Sequence, residues 1–214
     1  RGGTRIVAMA DDAYFGLFYE PESVKESLFS RLCGADPNLL AIKLDGATKE
    51  NFAWGLRVGF ITYGSDDSVS AEAYEALEKK TAGAVRGNVS NASHLGQSIV
   101  LRSMNDPRYA AEKKEKFELL RQRAIRVKEV LSDPRFEAAW APYPFNSGYF
   151  MCLRLKTVDA ERLRVHLLDR YGVGLIAIDG QNLRVAFSCL DEGDIRELFE
   201  TILAGIRDLE KSPG

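Results

Sequence analysis

The chain contains 214 residues, of which 45% are hydrophobic and 28% are charged, and its formal net charge is -2. This composition predicts a globular protein with a real hydrophobic core, arranged as one large domain or two small ones. The charge gives no broad electrostatic reason to expect a nucleic acid partner. No apolar run approaches the length of about eighteen residues that would predict a membrane span.

Cysteine and histidine usage predicts neither disulfides nor a metal site. The three cysteines are far apart and form no Cys-x-x-Cys pair, so we expect buried free thiols in a reducing, cytoplasmic compartment: Cys33, Cys152 and Cys189. Two histidines are too few for a histidine-rich metal site. The first residues, Arg1-Gly2-Gly3-Thr4, do not resemble a signal peptide and lack an initiator Met. We therefore expect a trimmed piece of a longer protein.

The first part of the chain predicts a parallel α/β sheet. Short apolar runs predict buried strands over residues 4–10 and 39–44, and a third strand is predicted over residues 56–63. Between the first two, Ser23 is suited to cap a helix that continues through Leu32 and ends at Gly34 and Pro37. A buried strand, a helix and another buried strand are typical of parallel α/β architecture.

The middle of the chain predicts helices. Residues 70–84 look helical, residues 87–93 form a polar break, and a long helical stretch begins at Leu95, interrupted near residues 105–107. From 109 to 131, apolar residues recur three or four apart on one face: Phe117, Leu120, Ala124, Val127 and Leu131. Lysines and arginines interleaved with glutamates predict a solvated opposite face.

After Pro134 the pattern is that of a small α+β unit. Strands are predicted over residues 148–155, 173–178 and 183–187, and helices over 158–171 and 191–209. We therefore divide the chain into residues 1–104, and residues 105–214 with the long helix and the small domain.

Lys49 begins the most informative motif. Five residues follow it, and then Gly55-Leu56-Arg57-Val58-Gly59. A lysine amine can form a Schiff base with an aldehyde cofactor, and the planar donors of an arginine can hold that cofactor's phosphate. Glycines allow the backbone to approach closely. From this segment alone, a lysine in an ordinary loop and a surface ion pair of Arg57 remain alternatives.

Two further patterns agree with such a site. Asp11 follows a predicted strand, at the end where ligands of parallel sheets collect. Its carboxylate could pair with a pyridinium nitrogen, and Tyr14 could reach a phenolic oxygen on the same ring. Arg184 is a charge within an apolar strand, where arginine is seldom placed unless paired. A cap of a helix is the alternative for Asp11, and a structural Asp or Glu partner is the alternative for Arg184.

These segments, in this order, resemble the fold-type I pyridoxal-phosphate enzymes, specifically the class I/II aminotransferases. Asp11-Asp12-Ala13-Tyr14 resembles the family's Asp-x-Ala-Tyr, and Thr48-Lys49 through Gly59 resembles its Ser-Lys-x5-Gly-x-Arg-x-Gly signature. Leu183-Arg184-Val185 resembles the strand with the carboxylate-binding arginine. The resemblance implies an α/β fold, in which the remainder of a large parallel-sheet cofactor domain precedes a small α+β domain. It also implies pyridoxal 5'-phosphate as the cofactor.

The resemblance implies roles for individual residues. Lys49 would be the Schiff-base lysine and the proton carrier, and Asp11 would be the partner of the pyridine nitrogen. Tyr14 would donate to the ring's phenolate oxygen, and Arg57 would clamp the phosphate. Arg184 would receive the α-carboxylate of the amino acid or 2-oxo acid substrate.

A weaker resemblance concerns Arg86, in Val85-Arg86-Gly87-Asn88-Val89-Ser90-Asn91. In aspartate aminotransferases, a similarly placed arginine reaches the neighbouring subunit's site and reads the distal carboxylate. This implies an aspartate or glutamate substrate and a homodimeric parent protein. An arginine that satisfies carbonyls at a helix terminus is the alternative.

The chain also departs from the family pattern. Gly46 occupies the position of a phosphate-contacting serine, so either Thr48 supplies a hydroxyl instead or the phosphate loses one donor. The main phosphate-binding loop, the aromatic that stacks on the cofactor and an asparagine near its oxygen have no counterpart here. We therefore expect the C-terminal part of an aminotransferase, inactive by itself, with an open sheet edge.

Two alternative functions remain from the sequence. The same scaffold and the same motifs serve β-lyases, decarboxylases and synthases that depend on pyridoxal phosphate. A non-catalytic effector domain of a transcriptional regulator would also keep the lysine.

Overall fold

The computed structural model describes residues 3–211. These residues divide into two units between Lys113 and Lys114, inside a long helix. The strands of the first unit are β1 (Ile6–Asp11), β2 (Leu39–Gly46) and β3 (Gly59–Gly64). Its helices are α1 (Leu28–Leu32), α2 (Ala47–Glu50), α3 (Ala71–Val89), α4 (His94–Met104) and the first turn of α5 (Tyr109–Leu131).

The sheet of the first unit has the order β1-β2-β3. Strands β1 and β2 are parallel, as predicted, and Asp11 is aligned with Leu44. Strand β3 is antiparallel to β2, with Gly46 opposite Gly59. Its direction differs because β2 and β3 are joined by the four-residue α2 and a three-residue 3-10 turn, without the full-length helix of a crossover. The lysine motif lies in this connection.

The first two strands were predicted to be buried, and this prediction is wrong for β1. Ile6, Val7 and Met9 of β1 are 56%, 63% and 60% exposed, whereas Ala41 of β2 is fully buried. Parallel sheets normally carry covering layers on both faces. Within residues 3–113, the helices cover only part of this sheet, and that leaves β1 open.

The helices of the first unit differ from their predicted bounds at the ends. Helix α1 is capped by Ser27, not Ser23, and its hydroxyl accepts from the backbone of Phe29 at 3.1 Å. Helix α3 continues past its predicted end at residue 84 and ends at Val89, inside the predicted polar break. Ser93 caps α4 by accepting a 3.1 Å hydrogen bond from Gly96.

The second unit contains the remainder of α5 and an antiparallel sheet of order β4-β5-β7-β6. The strands are β4 (Trp140–Pro142), β5 (Met151–Leu155), β6 (Ile176–Ala177) and β7 (Asn182–Val185). The helices are α6 (Ala160–Tyr171) and α7 (Ile195–Lys211). Helix α5 has the predicted bounds, and its buried face comprises Leu120, Ala124, Val127 and Val130, so Val130 takes the place expected of Leu131.

Alternation along β5 and β7 creates two different sheet faces. Met151, Leu153 and Leu155 of β5, with Leu183 and Val185 of β7, are buried. The intervening residues, including Arg184, lie on the opposite face and are half-buried or exposed. The apolar face therefore contributes to the core of this unit, and the other face is available for polar chemistry.

Other sequence predictions can be compared with residues 3–211. Cys33 and Cys189 are exposed free thiols and Cys152 is half-buried, so the prediction of buried thiols is wrong for the first two. None of the described helices is both long and apolar enough to traverse a bilayer. The described residues contain no cluster of three His, Cys, Asp or Glu side chains that could hold a metal ion.

Candidate active site

A tight turn follows β1 and carries Asp11 and Tyr14. The backbone N–H of Asp12 donates to the carbonyl of Leu44 at 2.9 Å, which extends the parallel ladder by one residue. The carboxylate of Asp11 accepts from the N–H of Ala13 at 3.2 Å, and Phe15 donates to the carbonyl of Asp12 at 2.9 Å. These bonds fix the turn, so Asp11 and Tyr14 emerge at the carboxyl end of β1.

Lys49 lies in α2, immediately after the carboxyl end of β2. Ala47 is fully buried, and its N–H donates to the carbonyl of Val58 at 3.0 Å. This bond closes the base of the segment 47–58, called the Lys49 loop. The half-buried ammonium of Lys49 lies 5.6 Å from the centre of the Tyr14 ring. Thr48 is half-buried beside it. The ends of β1 and β2 therefore bring Lys49 and Tyr14 together.

Arg57 has a left-handed backbone conformation, with φ of 54°. Phe52, on the other side of the 3-10 turn, has φ of 55°. Such conformations cost about 1–3 kcal/mol in a non-glycine residue and persist only where the surroundings enforce them. Two such residues in one short connection define the path of the loop closely, and Arg57 is presented to solvent.

Helix α4 supports this loop from below. Val58 and Val100 are buried with Ala47 in one cluster, against which Ala53 and Leu56 also pack. A methyl group at Gly96 would lie only 2.6 Å from the carbonyl oxygen of Leu56. Glycine at this position therefore allows α4 to approach the backbone next to Arg57.

The beginning of α5 is attached to the other end of the loop. Lys113 forms a 3.0 Å ion pair with Glu50, and the amide of Asn51 donates a hydrogen bond to the hydroxyl of Tyr109. Both contacts fall within the first unit. The residues that follow Lys49 are therefore anchored by side chains as well as by backbone bonds.

Arg86 lies in the last turn of α3 and is exposed. Its guanidinium donates a 2.8 Å hydrogen bond to the hydroxyl of Ser90, the residue that ends the helix with φ of 71°. This contact is with a side chain, not with the helix-terminal carbonyls of the alternative interpretation.

Arg184 belongs to the second unit, on the open face of β7. Its guanidinium carbon lies 4.5 Å from the centre of the Phe150 ring, and Cys152 and Ile176 are its cross-strand neighbours. Across residues 3–211, no carboxylate forms an ion pair with Arg184. Burial raises the pKa of the Cys152 thiol, and the positive charge of Arg184 opposes that rise.

Sequence reasoning missed two features of the first unit. One is Lys43, which forms ion pairs with Asp45 and Asp12. The available signal was a lysine within the apolar strand 39–44, the same signal that drew attention to Arg184. The other is Gly96, for which the sequence offers no signal, since its closeness to Leu56 depends on how α4 packs.

Comparisons with known proteins identify the family of the chain. The family model of aminotransferase class I and II matches residues 3–202. The chain belongs to this family. No match to a curated protein was found for this aminotransferase chain.

Solved aminotransferase structures share the fold of this chain. An aminotransferase from Anaerococcus prevotii has a TM-score of 0.74 at 23% identity, over 92% of this chain and 46% of its own. LysN, the α-aminoadipate aminotransferase of Thermus thermophilus, solved with N-(5'-phosphopyridoxyl)-L-leucine, has a TM-score of 0.74 at 21% identity, over 96% and 51%. An aspartate aminotransferase double mutant from the same organism has a TM-score of 0.66 at 18% identity, over 92% and 47%. The chain thus spans about half the length of these relatives.

Proposed function

We propose that the protein containing this chain is a pyridoxal-phosphate-dependent aminotransferase, which moves an amino group between an α-amino acid and a 2-oxo acid. The observation that carries the proposal is the 5.6 Å approach of the Lys49 ammonium to the Tyr14 ring, beside Asp11 at the carboxyl ends of β1 and β2. Family membership over residues 3–202 supports it.

The residues of the first unit suit the proposed cofactor. Lys49 offers a primary amine, Tyr14 a phenol, and Asp11 a carboxylate at the end of a parallel strand. Thr48 and the exposed Arg57 offer donors for a phosphate. When bound, pyridoxal phosphate supplies an aldehyde that accepts the amine and a ring that accepts electrons.

Each residue then has a distinct task. Lys49 holds the cofactor covalently and, once its amine is released, moves the proton to and from the substrate Cα. Asp11 keeps the ring nitrogen protonated through its negative charge, and Tyr14 donates to the ring oxygen. Arg57 neutralises phosphate charge with its planar donors.

Arg184 is proposed to bind the substrate α-carboxylate. Its half-buried guanidinium stacks on Phe150 and has no carboxylate partner among residues 3–211. A planar arginine held in this way is well suited to a bidentate contact with a carboxylate. The alternative of a structural Asp or Glu partner receives no support from the described residues.

Arg86 supports a narrower proposal, a preference for aspartate or glutamate in a homodimer. Its guanidinium is exposed at the end of α3 and bonds to the Ser90 hydroxyl, which leaves further donors of the five on the group for a carboxylate. Substitution of Arg86 by Ala in the full-length enzyme should raise KM for dicarboxylic substrates and not for alanine. An equal rise for both substrate classes would contradict this preference.

The 214-residue chain alone is proposed to be inactive. It spans about half the length of the aminotransferases compared above, and β1 is open to solvent. Transamination by the isolated chain at the rate of the full-length protein would refute this part of the proposal.

The decisive experiment uses the full-length protein with added pyridoxal phosphate. We expect an absorption band near the visible edge, lost in Lys49→Ala and retained in Lys80→Ala, a matched change of an exposed lysine on α3. A band that survives in Lys49→Ala would refute the assignment of Lys49.

Product identification tests the reaction type. Formation of pyridoxamine phosphate from an amino acid would support transamination, whereas release of pyruvate or carbon dioxide without it would favour a lyase or decarboxylase. A band without any turnover would favour the effector domain of a regulator.

A further inference from the structure

A half-buried charge network at the carboxyl ends of β1 and β2 is centred on Lys43 of β2. The ammonium of Lys43 is 2.7 Å from a carboxylate oxygen of Asp45 and 3.8 Å from one of Asp12. The three side chains are only 19%, 14% and 17% exposed. The motifs that identify the family do not include Lys43, and the proposed chemistry has not used it.

The sheet register explains how these residues meet. Lys43 and Asp45 are two positions apart on β2, so their side chains lie on the same face. Asp11 is aligned with Leu44. Because the strands are parallel, the next residues, Asp12 and Asp45, are also neighbours. The hydroxyl of Ser27 donates a hydrogen bond to Asp12. Two carboxylates therefore converge on one ammonium.

Lys43 also contacts the turn that carries Tyr14. Its ammonium lies 4.7 Å from the centre of the Phe15 ring, a favourable distance for a cation over an aromatic face. Lys43 thus contacts Asp12, the neighbour of Asp11, and Phe15, the neighbour of Tyr14. Through Asp45 it also contacts the end of β2, from which the Lys49 loop begins.

We propose that Lys43 is a positioning residue, which joins the Asp11–Tyr14 turn to the Lys49 loop and sets the charge at the strand ends that carry Asp11 and Lys49. This proposal rests on the proposed function, because it assigns Lys43 a role toward the cofactor joined to Lys49. The network carries two negative charges and one positive charge, so its net charge of minus one depends on Lys43. Without Lys43, Asp12 and Asp45 would face each other without a cation.

The other charged groups near Lys49 do not duplicate this role. Glu50 is already paired with Lys113, and Tyr14 presents its ring face to Lys49. Asp11 and Arg57 are already assigned to the cofactor itself in the proposed function. Lys43 is the cation that joins the carboxylates at the two strand ends.

The first test is a pH titration of the absorption band of the full-length protein loaded with pyridoxal phosphate. Lys43→Met removes a positive charge, which should favour protonation of the nitrogen of Lys49 and raise the midpoint by about half a unit or more. Asp45→Asn removes a negative charge and should lower the midpoint by a similar amount. Lys43→Arg should keep the midpoint within about 0.2 units, since the charge is conserved.

The double variant Lys43→Met/Asp45→Asn separates charge from structural damage. Because the net charge of the network is restored, its midpoint should return toward that of the wild type. Shifts of the same sign in Lys43→Met and Asp45→Asn, or no shift in either, would overturn the proposal. If Lys43→Met does not fold, the shift in Asp45→Asn still decides the matter.

A second measurement needs no bound cofactor. Reductive methylation with a 13C label allows the pKa of Lys49 to be followed by NMR in the cofactor-free protein, with Lys49→Ala identifying the signal. The same opposite shifts are expected in Lys43→Met and Asp45→Asn, and unmoved titrations would refute the charge relationship. Absence of the absorption band in the wild-type protein would contradict the proposed function but not the role of Lys43, because the NMR shifts would still test Lys43.

Discussion

Lys49 and Tyr14 approach within 5.6 Å, measured from the ammonium to the ring centre, although Lys49 lies in α2 and Tyr14 in the turn after β1. The approach results from the parallel pairing of β1 with β2, which places the carboxyl ends of both strands side by side. A ring face at this distance attracts a cation, and in the proposed function the Tyr14 hydroxyl donates to the cofactor. The strand register therefore links a motif near residue 11 to a motif near residue 49.

Two substitutions of Tyr14 separate the ring from the hydroxyl. Tyr14→Phe retains the ring over Lys49 and should lower cofactor affinity about tenfold, which corresponds to one hydrogen bond of about 1.4 kcal/mol. Tyr14→Leu should lower it further, since the ring is also lost. Titration of the full-length protein with pyridoxal phosphate, followed by absorbance, measures both. Equal affinities of Tyr14→Phe and the wild type would argue against the hydroxyl contact.

Gly96→Ala should disturb the Arg57 loop from a helix that carries none of the residues assigned to the proposed cofactor. The added methyl would lie 2.6 Å from the Leu56 carbonyl oxygen, so either α4 or the loop must move. We expect a loss of about 1–3 kcal/mol of stability and a weaker affinity for pyridoxal phosphate. Chemical denaturation and cofactor titration measure the two effects.

Gly83→Ala is the matched control for Gly96→Ala. Gly83 is also within a helix, but nothing lies within 4 Å of a methyl added there. Alanine should therefore stabilise α3 by about 0.5–1 kcal/mol through its helix propensity. A destabilisation of equal size in both variants would show that the contact with Leu56 is not the cause.

The elements that the sequence predicted well are those whose patterns are local. Helix α5 has the predicted bounds of 109 and 131, because its apolar spacing persists over many turns. Strand β3 begins at Gly59, later than predicted, because Arg57 adopts a left-handed conformation in the turn before it. Strand β4 was missed, since Trp140–Pro142 is three residues long and ends in a proline.

The same distinction applies to the candidate site. Asp11, Tyr14 and Lys49 were predicted because each belongs to a short motif, and the parallel pairing was expected from strand order. The ion pairs of Lys43 were not predicted, because they depend on the register of β1 against β2. Local sequence reports which groups exist, whereas register and packing determine which of them meet.

Phe150 should matter for carboxylate recognition by Arg184. The guanidinium carbon lies 4.5 Å from the centre of its ring, a contact that restrains a flexible side chain on the open face of β7. Phe150→Leu removes the aromatic face and should raise KM for amino acids about three- to tenfold, from the loss of about 0.5–1.5 kcal/mol. Steady-state kinetics of the full-length enzyme would measure this change.

Phe145→Leu provides the control for Phe150→Leu. The Phe145 ring packs against Phe187 and lies under the ammonium of Lys128. Among residues 3–211, it does not stack on Arg184. Phe145→Leu should lower the stability of the second unit without raising KM for amino acids. If both variants raise KM equally, general loosening of the second unit would explain the effect, and the proposed stacking role would be wrong.

Asp133 should make the second unit sensitive to acid. Hydrogen bonds from the Arg135 side chain and backbone, with a further contribution from Arg196 on α7, hold the pKa of the Asp133 carboxyl well below its usual range. Because the folded-state pKa lies below the unfolded value of about 3.9, the stabilisation is complete above that value and is lost as pH falls below it. Thermal unfolding between about pH 7 and about pH 2 should show a decline in melting temperature that is shallower in Asp133→Asn.

Asp169→Asn, at an exposed position, serves as the control and should retain the wild-type decline. The difference should also shrink in high salt, because the Asp133 ion pairs lie at the surface, and a decline equally steep in both variants would show that Asp133 does not contribute to it.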